Sequence, residues 1–294
     1  MNSGLFKDLK HKVFHSGNPS YLYIGICVLI FVIVGLLNVP FFLSGKGGVI
    51  YDGLIRDYFG FPAAISALAT RFYTILTYQF FHDGILHILF NMLWLHWMGR
   101  IFLDFLRPRQ FHFVYLAGGF AGALLFALAY NIFPVFKTAS GATVIGSSAA
   151  VMAVVIATAT LLPNYSIRLL LFGDVKLKYL AAAYIVMDLL GTTSMNAGGS
   201  FAHIGGAILG FGYIKVLQNG TDWSNIFKKK PKLKVVRNNV KQAGRTDSSA
   251  SSAKRQGSAV EQREIDEILD KISKSGYDKL TREEKETLFK ASKH

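Results

Sequence analysis

Cysteine is nearly absent from this chain: Cys27 stands alone among 294 residues. One thiol cannot close an intrachain bridge, so a disulfide framework is excluded. Cys27 lies inside an apolar run and reads as a small hydrophobe. Charge is scarce locally. The chain has 32 Lys and Arg and 18 Asp and Glu, but only 21 of these 50 lie in residues 1–217, while 29 fall in the 77 residues that follow. An apolar body is therefore joined to a polar tail, and a single soluble domain is excluded. A cleaved signal peptide is not expected either. A polar stretch of 20 residues precedes the first apolar run, and no small-residue cleavage site follows a short apolar core.

The body is filled by apolar segments. Crossing ~30 Å of hydrocarbon takes ~20 residues, and six candidate spans stand at 21–44, 84–105, 112–133, 147–162, 178–193 and 200–217. One such segment would suit a soluble bundle; six in series predict an all-α, polytopic membrane protein. Basic residues orient it. Lys7, Lys10 and Lys12 precede span 1, Arg100, Arg107 and Arg109 lie between spans 2 and 3, and Arg168, Lys176 and Lys178 lie between spans 4 and 5. With 19 more from Lys215 onward, 28 of the 32 fall on one side, leaving Lys46, Arg56, Arg71 and Lys137 on the other. Both termini are expected in the cytoplasm, with spans 2, 4 and 6 running inward from the outer face.

The tail has its own order. Residues 226–245 hold eight basic and no acidic residues. Directly after a span, such a run fits anionic lipid headgroups or a topology signal, at about 1 kcal/mol per basic residue near the surface, better than nucleic acid. Residues 246–257 read as a flexible linker. Two capping boxes, Ser258 with Glu261 and Thr281 with Glu284, then open two short helices separated by Gly276. The expected organisation is a cytoplasmic segment 1–20, a six-span domain 21–217, a basic and Ser-rich linker 218–257 and a small helical hairpin 258–294.

Polar groups inside spans are expensive and mark function. His87 and Asn91 in span 2, Ser148 in span 4 and His203 in span 6 stand out. Counted from the cytoplasmic span ends at ~1.5 Å per residue, all four lie about 19–25 Å up, in one layer near the outer face. A serine needs an adjacent base to become a nucleophile, and His203 is suited to take its proton. His87 and Asn91, four apart, share a helix face. With the Ser148 backbone N–H they are suited to donate to a developing oxyanion. Taken singly, Ser148 reads as a helix cap and each histidine as a packing residue; their joint depth favours catalysis.

These residues resemble the rhomboid family of intramembrane serine proteases, in its bacterial six-span form. Gly146-Ser147-Ser148-Ala149 is similar to the family's Gly-x-Ser-x. Ala202-His203-Ile204-Gly205-Gly206 through Gly210 is similar to its Ala-His-x-x-Gly-x-x-x-Gly, and His82, His87 and Asn91 to its His-x4-His-x3-Asn. The resemblance covers about residues 15–217. It implies a Ser148 nucleophile and a His203 base acting as a dyad without a carboxylate, and His87 and Asn91 supporting the oxyanion hole. It also implies a structural His82, close helix packing at Gly206 and Gly210, a partly embedded first loop over 45–82 and a mobile lid over 192–201. Ser147 is the alternative nucleophile. Asp188, in span 5, reads as structural because the family uses a dyad. Three positions depart from the family pattern: Ala149 where Gly is usual, which would narrow the oxyanion site; Met152 where an aromatic often packs on the histidine; and Tyr73-Thr74 where Trp-Arg is common.

The implied activity is hydrolysis of peptide bonds in or beside the transmembrane segments of membrane-protein substrates. The implied location is a multi-pass integral position in a bacterial inner (plasma) membrane. The alternatives are a catalytically inactive rhomboid-like protein that binds membrane clients, and a transporter, which would show two matching halves. His82 and His87 lack the following Glu of a zinc protease motif, and Phe172-Gly173-Asp174 lacks the preceding Gly of the intramembrane aspartyl type. No metal or cofactor is required by a Ser–His pair, so cleavage by the purified protein is expected to be unchanged by a strong chelator; loss of activity restored by a divalent metal would contradict this.

Overall fold

The computed structural model describes residues 3–139, 141–169, 173–193, 196–227, 265–272, 274 and 279–291. The chain divides into two units, residues 1–230 and 231–294.

The first unit is helical. After α1 (Ser3–Phe14), α2 (Pro19–Leu43) starts where the Asn18 side chain accepts from the Ser20 N–H at 2.9 Å and Pro19 takes the first turn. Both are favourable because early helical N–H groups lack intrahelical partners. Five more long helices follow: α3 (Ile85–Phe105), α4 (Pro108–Ile132), α5 (Ser148–Leu161), α6 (Leu177–Gly191) and α7 (Ala197–Gln218). Together with α2 they fall on the six predicted apolar segments, with ends shifted by a few residues. By length and composition α2, α4 and α7 are able to cross a membrane, and α5 is a shorter apolar helix. α3 has the length but is interrupted by His87, Asn91, His96, Arg100 and Asp104. Large apolar side chains such as Leu36, Leu124, Met187 and Ile208 are half exposed or more. On a soluble protein that surface would aggregate; here it faces hydrocarbon.

α5 is the buried centre, with most of its length inaccessible, and α4 and α7 pack most extensively against it and against each other. Small residues make this possible. A Cβ on Gly206 or Gly210 of α7 would overlap the carbonyl oxygens of Ala149 and Ala153 on α5. A Cβ on Gly122 of α4 would lie 2.5 Å from that of Ala149. Such backbone-to-backbone approach is how membrane helices gain packing energy without a hydrophobic driving force between them.

Two features hold the segment before α5 against the first loop. Strand β1 (Phe61–Pro62) pairs antiparallel with β2 (Thr143–Val144), in the register Phe61–Val144. The Gly146 N–H donates to the Tyr78 carbonyl at 2.9 Å, and the Tyr78 hydroxyl donates to the Gly119 carbonyl of α4 at 2.5 Å. A second ladder, β3 (Ser166–Leu169) with β4 (Gly173–Lys176), lies between α5 and α6. Neither ladder is anticipated from the sequence, because two to four residues are too few to show alternation. The first loop also holds a π-helical segment, Val49–Phe59. Beyond α7, Asp222 accepts from Ser224, Tyr213 and Arg109. Burial opposes its ionised form, but these hydrogen bonds win and lower the Asp222 pKa.

In the second unit, residues 265–272 are helical and α8 (Arg282–Ala291) follows. The capping box that opens α8 is present. The Thr281 N–H donates to Glu284 Oε2 at 2.7 Å, and the Glu284 N–H donates to Thr281 Oγ1 at 3.3 Å. Lys271 pairs with Glu284 at 2.7 Å. The Ser258–Glu261 box, Gly276, the 246–257 linker and nearly all of the 226–245 basic run lie outside the described residues.

Because Gly206 and Gly210 have no room for a side chain, Gly206→Val and Gly210→Val are each expected to cost about 1–3 kcal/mol or more. Gly212, which faces open space, should accept alanine without loss. Thermal unfolding of the three purified variants in one detergent checks the contrast.

Candidate active site

The N-terminus of α5 and the starts of α3 and α7 meet around one cavity of about 850 Å³. Ser148, His203, His87 and Asn91 all line it, with Tyr184 of α6 and, from the loops, Arg56 and Asp83. The four residues singled out by depth are thus gathered at one place.

Gly146 shapes the serine's approach. Its φ of 127° is a backbone conformation that side-chain-bearing residues rarely adopt. A Cβ there would stand 2.9 Å from His87 Nε2 and 3.6 Å from Ser148 Oγ. The turn therefore lets the serine hydroxyl and the His87 ring close on the same glycine. The first intrahelical bond of α5 runs from the Val151 N–H to the Ser147 carbonyl at 2.9 Å. The N–H groups of Ser148 to Ala150 precede it and carry the positive end of the helix.

Ser147 and His82 serve a different purpose. Ser147 is fully buried, and its Oγ lies 3.0 Å from His82 Nε2. The Ser147 N–H also donates to that nitrogen, at 3.4 Å. This ties the loop to the start of α5 and holds Ser147 away from the cavity that Ser148 lines. Burial, followed by the nearby His87, pushes the His82 pKa down to about 3, so its ring is neutral.

Each cavity histidine has a carboxylate at Nδ1. His87 Nδ1 lies 2.9 Å from Asp83 Oδ1, and Arg56 donates to Asp83 Oδ2 at 2.7 Å. The hydrogen bond from His87 is the main cause of a lowered Asp83 pKa; partial burial opposes it, and the charges of His87 and Arg56 add to it. His203 Nδ1 lies 2.7 Å from Asp188 Oδ1. Asn91 donates through Nδ2 to the His87 carbonyl at 2.8 Å, which leaves its second amide proton free. Ser148 and His203 share the cavity but are not joined by a hydrogen bond.

Several expectations need correction. Ala149 does not narrow the oxyanion site: its methyl packs toward Gly122 of α4, away from the cavity. Met152 leaves no gap in aromatic packing, because Tyr184 of α6 stands edge-on to the His203 ring at 6.3 Å. The 192–201 segment is not one lid. α6 reaches Gly191 and α7 begins at Ala197, and Ala197, Gly198 and Ser200 are buried. A Cβ on Gly198 would meet the Phe126 ring at 2.9 Å, so that part is packed helix. Thr74, in the Tyr73-Thr74 pair, is fully buried and donates to the Arg71 carbonyl. Asp83 and Tyr184 were not singled out, although each lies four residues from a polar neighbour, His87 and Asp188, on the same face. Among the described residues, no group of three or more His, Cys, Asp or Glu is placed to hold a metal.

A bundle of apolar helices around a cavity lined by Ser148, His203, His87 and Asn91 is the architecture of a polytopic membrane protein. Residues 69–219, which include all four groups, match the family model described as Rhomboid domain, and the chain belongs to the rhomboid family of intramembrane proteases. Residues 255–294 match a family of unknown function (DUF6576). No curated protein matches the chain.

The neutral, buried His82 makes stability pH-dependent. Its folded pKa lies below the unfolded value near 6.5, so the unfolded chain binds the proton first and stability falls as pH drops from about 6.5 toward 3. Between pH 7 and pH 5 the loss attributable to this residue is roughly 2 kcal/mol. Unfolding of wild type and His82→Asn at both pH values tests this: the variant should lose less between them.

Proposed function

We propose that this protein is an intramembrane serine endopeptidase that cleaves peptide bonds in or near transmembrane segments of membrane-protein substrates. Its six helices α2–α7 span the bilayer, both termini lie in the cytoplasm, and the cavity opens toward the outer face. The observation that carries the reading is the convergence of Ser148, His203, His87 and Asn91 on one cavity that the polar Arg56 and Asp83 also line.

In the proposed reaction, Ser148 Oγ attacks the scissile carbonyl carbon as His203 Nε2 takes the hydroxyl proton. A C–O bond forms and the carbonyl oxygen becomes an oxyanion. The Ser148 N–H, the free amide proton of Asn91 and His87 Nε2–H donate to it, backed by the positive end of α5. As imidazolium, His87 donates from both nitrogens, to Asp83 and into the cavity. Collapse of the intermediate breaks the C–N bond, and the His203 proton goes to the leaving nitrogen. Water then attacks the acyl-Ser148 ester with His203 as base, and the serine is restored. Substrate binding closes the remaining gap between Ser148 and His203, since catalytic hydrogen bonds often tighten only when substrate is bound.

Cleavage of a panel of transmembrane segments by purified protein tests the proposal. Ser148→Ala and His203→Ala are expected to lower cleavage by about 10³-fold or more, and Asn91→Ala by about 10–10²-fold. A fluorophosphonate probe should label wild type and not Ser148→Ala. Full activity in His203→Ala would sink the dyad. No cleavage by wild type with selective retention of clients would favour the inactive client-binding reading.

A further inference from the structure

We infer that Asp188 is a positioning residue for His203, so that this chain works a Ser148–His203–Asp188 relay in place of a two-residue dyad. The inference rests on the proposed Ser148–His203 chemistry and deepens it.

The geometry is selective. His203 has two ring nitrogens, and Asp188 Oδ1 meets Nδ1 at 2.7 Å, which leaves Nε2 for the cavity and Ser148. A base for a serine must keep Nε2 unprotonated, and so must carry its ring proton on Nδ1. A carboxylate only accepts hydrogen bonds, so Asp188 selects that tautomer and favours the imidazolium formed when Nε2 takes the proton. The ring is held from a second direction by Tyr184, one turn earlier on α6 and edge-on to it. α6 thus presents two consecutive turns to one ring of α7.

A packing role alone would not need the charge. The Asp188 side chain is 8% exposed and His203 17%. Asp188 Oδ2 is buried without a hydrogen-bond partner, and the carboxylate borders an apolar pocket lined by Met152, Ile156, Leu189, Ile204 and Ile208. A half-satisfied carboxylate in such surroundings is costly. An asparagine would join α6 to α7 without that cost, but its amide can donate to Nδ1 and impose the wrong tautomer. The proton balance is closed. Nδ1–H stays on the ring throughout, Nε2 takes the Ser148 proton to form imidazolium beside carboxylate, and the same proton leaves with the amine.

The test uses the full-length chain in lipid nanodiscs, as wild type, Asp188→Asn and Asp188→Glu. ¹⁵N NMR of histidine-labelled protein, with His203 assigned from a His203→Gln sample, reads the tautomer of the neutral ring. Expected are an Nδ1–H ring in wild type, a shift toward Nε2–H in Asp188→Asn, and retention of Nδ1–H in Asp188→Glu. In the cleavage assay Asp188→Asn should lower kcat on the order of 10²-fold, with KM within about threefold. Unchanged thermal unfolding of Asp188→Asn separates this from loss of fold. Equal tautomer populations in wild type and Asp188→Asn, or equal kcat, would overturn the inference. If the tautomer depends on Asp188 but wild type cleaves nothing, the positioning of His203 stands and the protease reading fails instead.

Discussion

The site depends on one contact between backbones: Gly206 and Gly210 of α7 lie so close to the Ala149 and Ala153 carbonyls of α5 that no side chain fits between them. The pairing of 206 with 149 and of 210 with 153 advances in the same sense on both helices, so the two run parallel. It follows that Ser148 and His203 emerge at the same end. By this register the residue opposite Ser148 is Gly205, and His203 lies two positions beyond it, about 3 Å along the axis. That offset is in keeping with the absence of a direct hydrogen bond. A bulkier residue at either glycine would push α7 off α5 and take the histidine with it. The serine's own placement adds a second constraint. The Gly146 turn, the β1–β2 ladder and the His82–Ser147 tie anchor the start of α5 to the first loop, so Ser148 is held by the loop as well as by the helix it opens.

Around that frame the polar groups solve a shared electrostatic problem. A ring nitrogen that must donate or accept on cue, in surroundings poor in water, needs its other nitrogen fixed. His87 has Asp83, and Asp83 has Arg56, which brings a charge from the first loop to the edge of the cavity. His203 has Asp188 and Tyr184, both from α6. The first relay lies among loop residues where water has access, and its acid is further neutralised by Arg56. The second is shut between α6 and α7 and has no such counter-charge among the described residues.

Much of this was legible in the sequence because membrane insertion makes polar residues conspicuous. Ser148, His203, His87 and Asn91 break apolar runs, and counting residues from one end of each span is enough to set them at one depth. Gly206 and Gly210 are legible for the same reason: a period of four in small residues marks the face that another helix approaches. Depth along a helix is read from counting, but rotation about its axis is not. Asp188 reads as structural because the resemblance implies a dyad, and nothing in its spacing says which way α6 turns that face; the ring that packs on His203 is expected at position 152 on α5, whereas Tyr184 of α6 supplies it. The Ala149 methyl was misjudged for a related reason. It was weighed for its nearness to Ser148 in sequence, whereas one residue along a helix is a rotation of about 100°, enough to carry it from the cavity to the glycine groove of α4. The start of α7 is expected in a lid because the resemblance implies one over 192–201; Gly198, packed against Phe126, allows a close helix approach there instead.

The charge on Asp188 is where these threads meet. An ionised carboxylate with one unpartnered oxygen destabilises the resting protein, and a neutral side chain of the same shape would remove that cost. In the proposed reaction the balance reverses at the moment His203 takes the serine proton. The pair is then oppositely charged and in direct contact, and the carboxylate's stabilising effect is realised in the transition state more than in the ground state. Only interactions of that kind accelerate the chemical step, and each 1.4 kcal/mol gained there is tenfold in rate. Between α6 and α7, beside the apolar Ile204, Ile208 and Leu189, the group in contact with the ring and able to stabilise its imidazolium is Asp188.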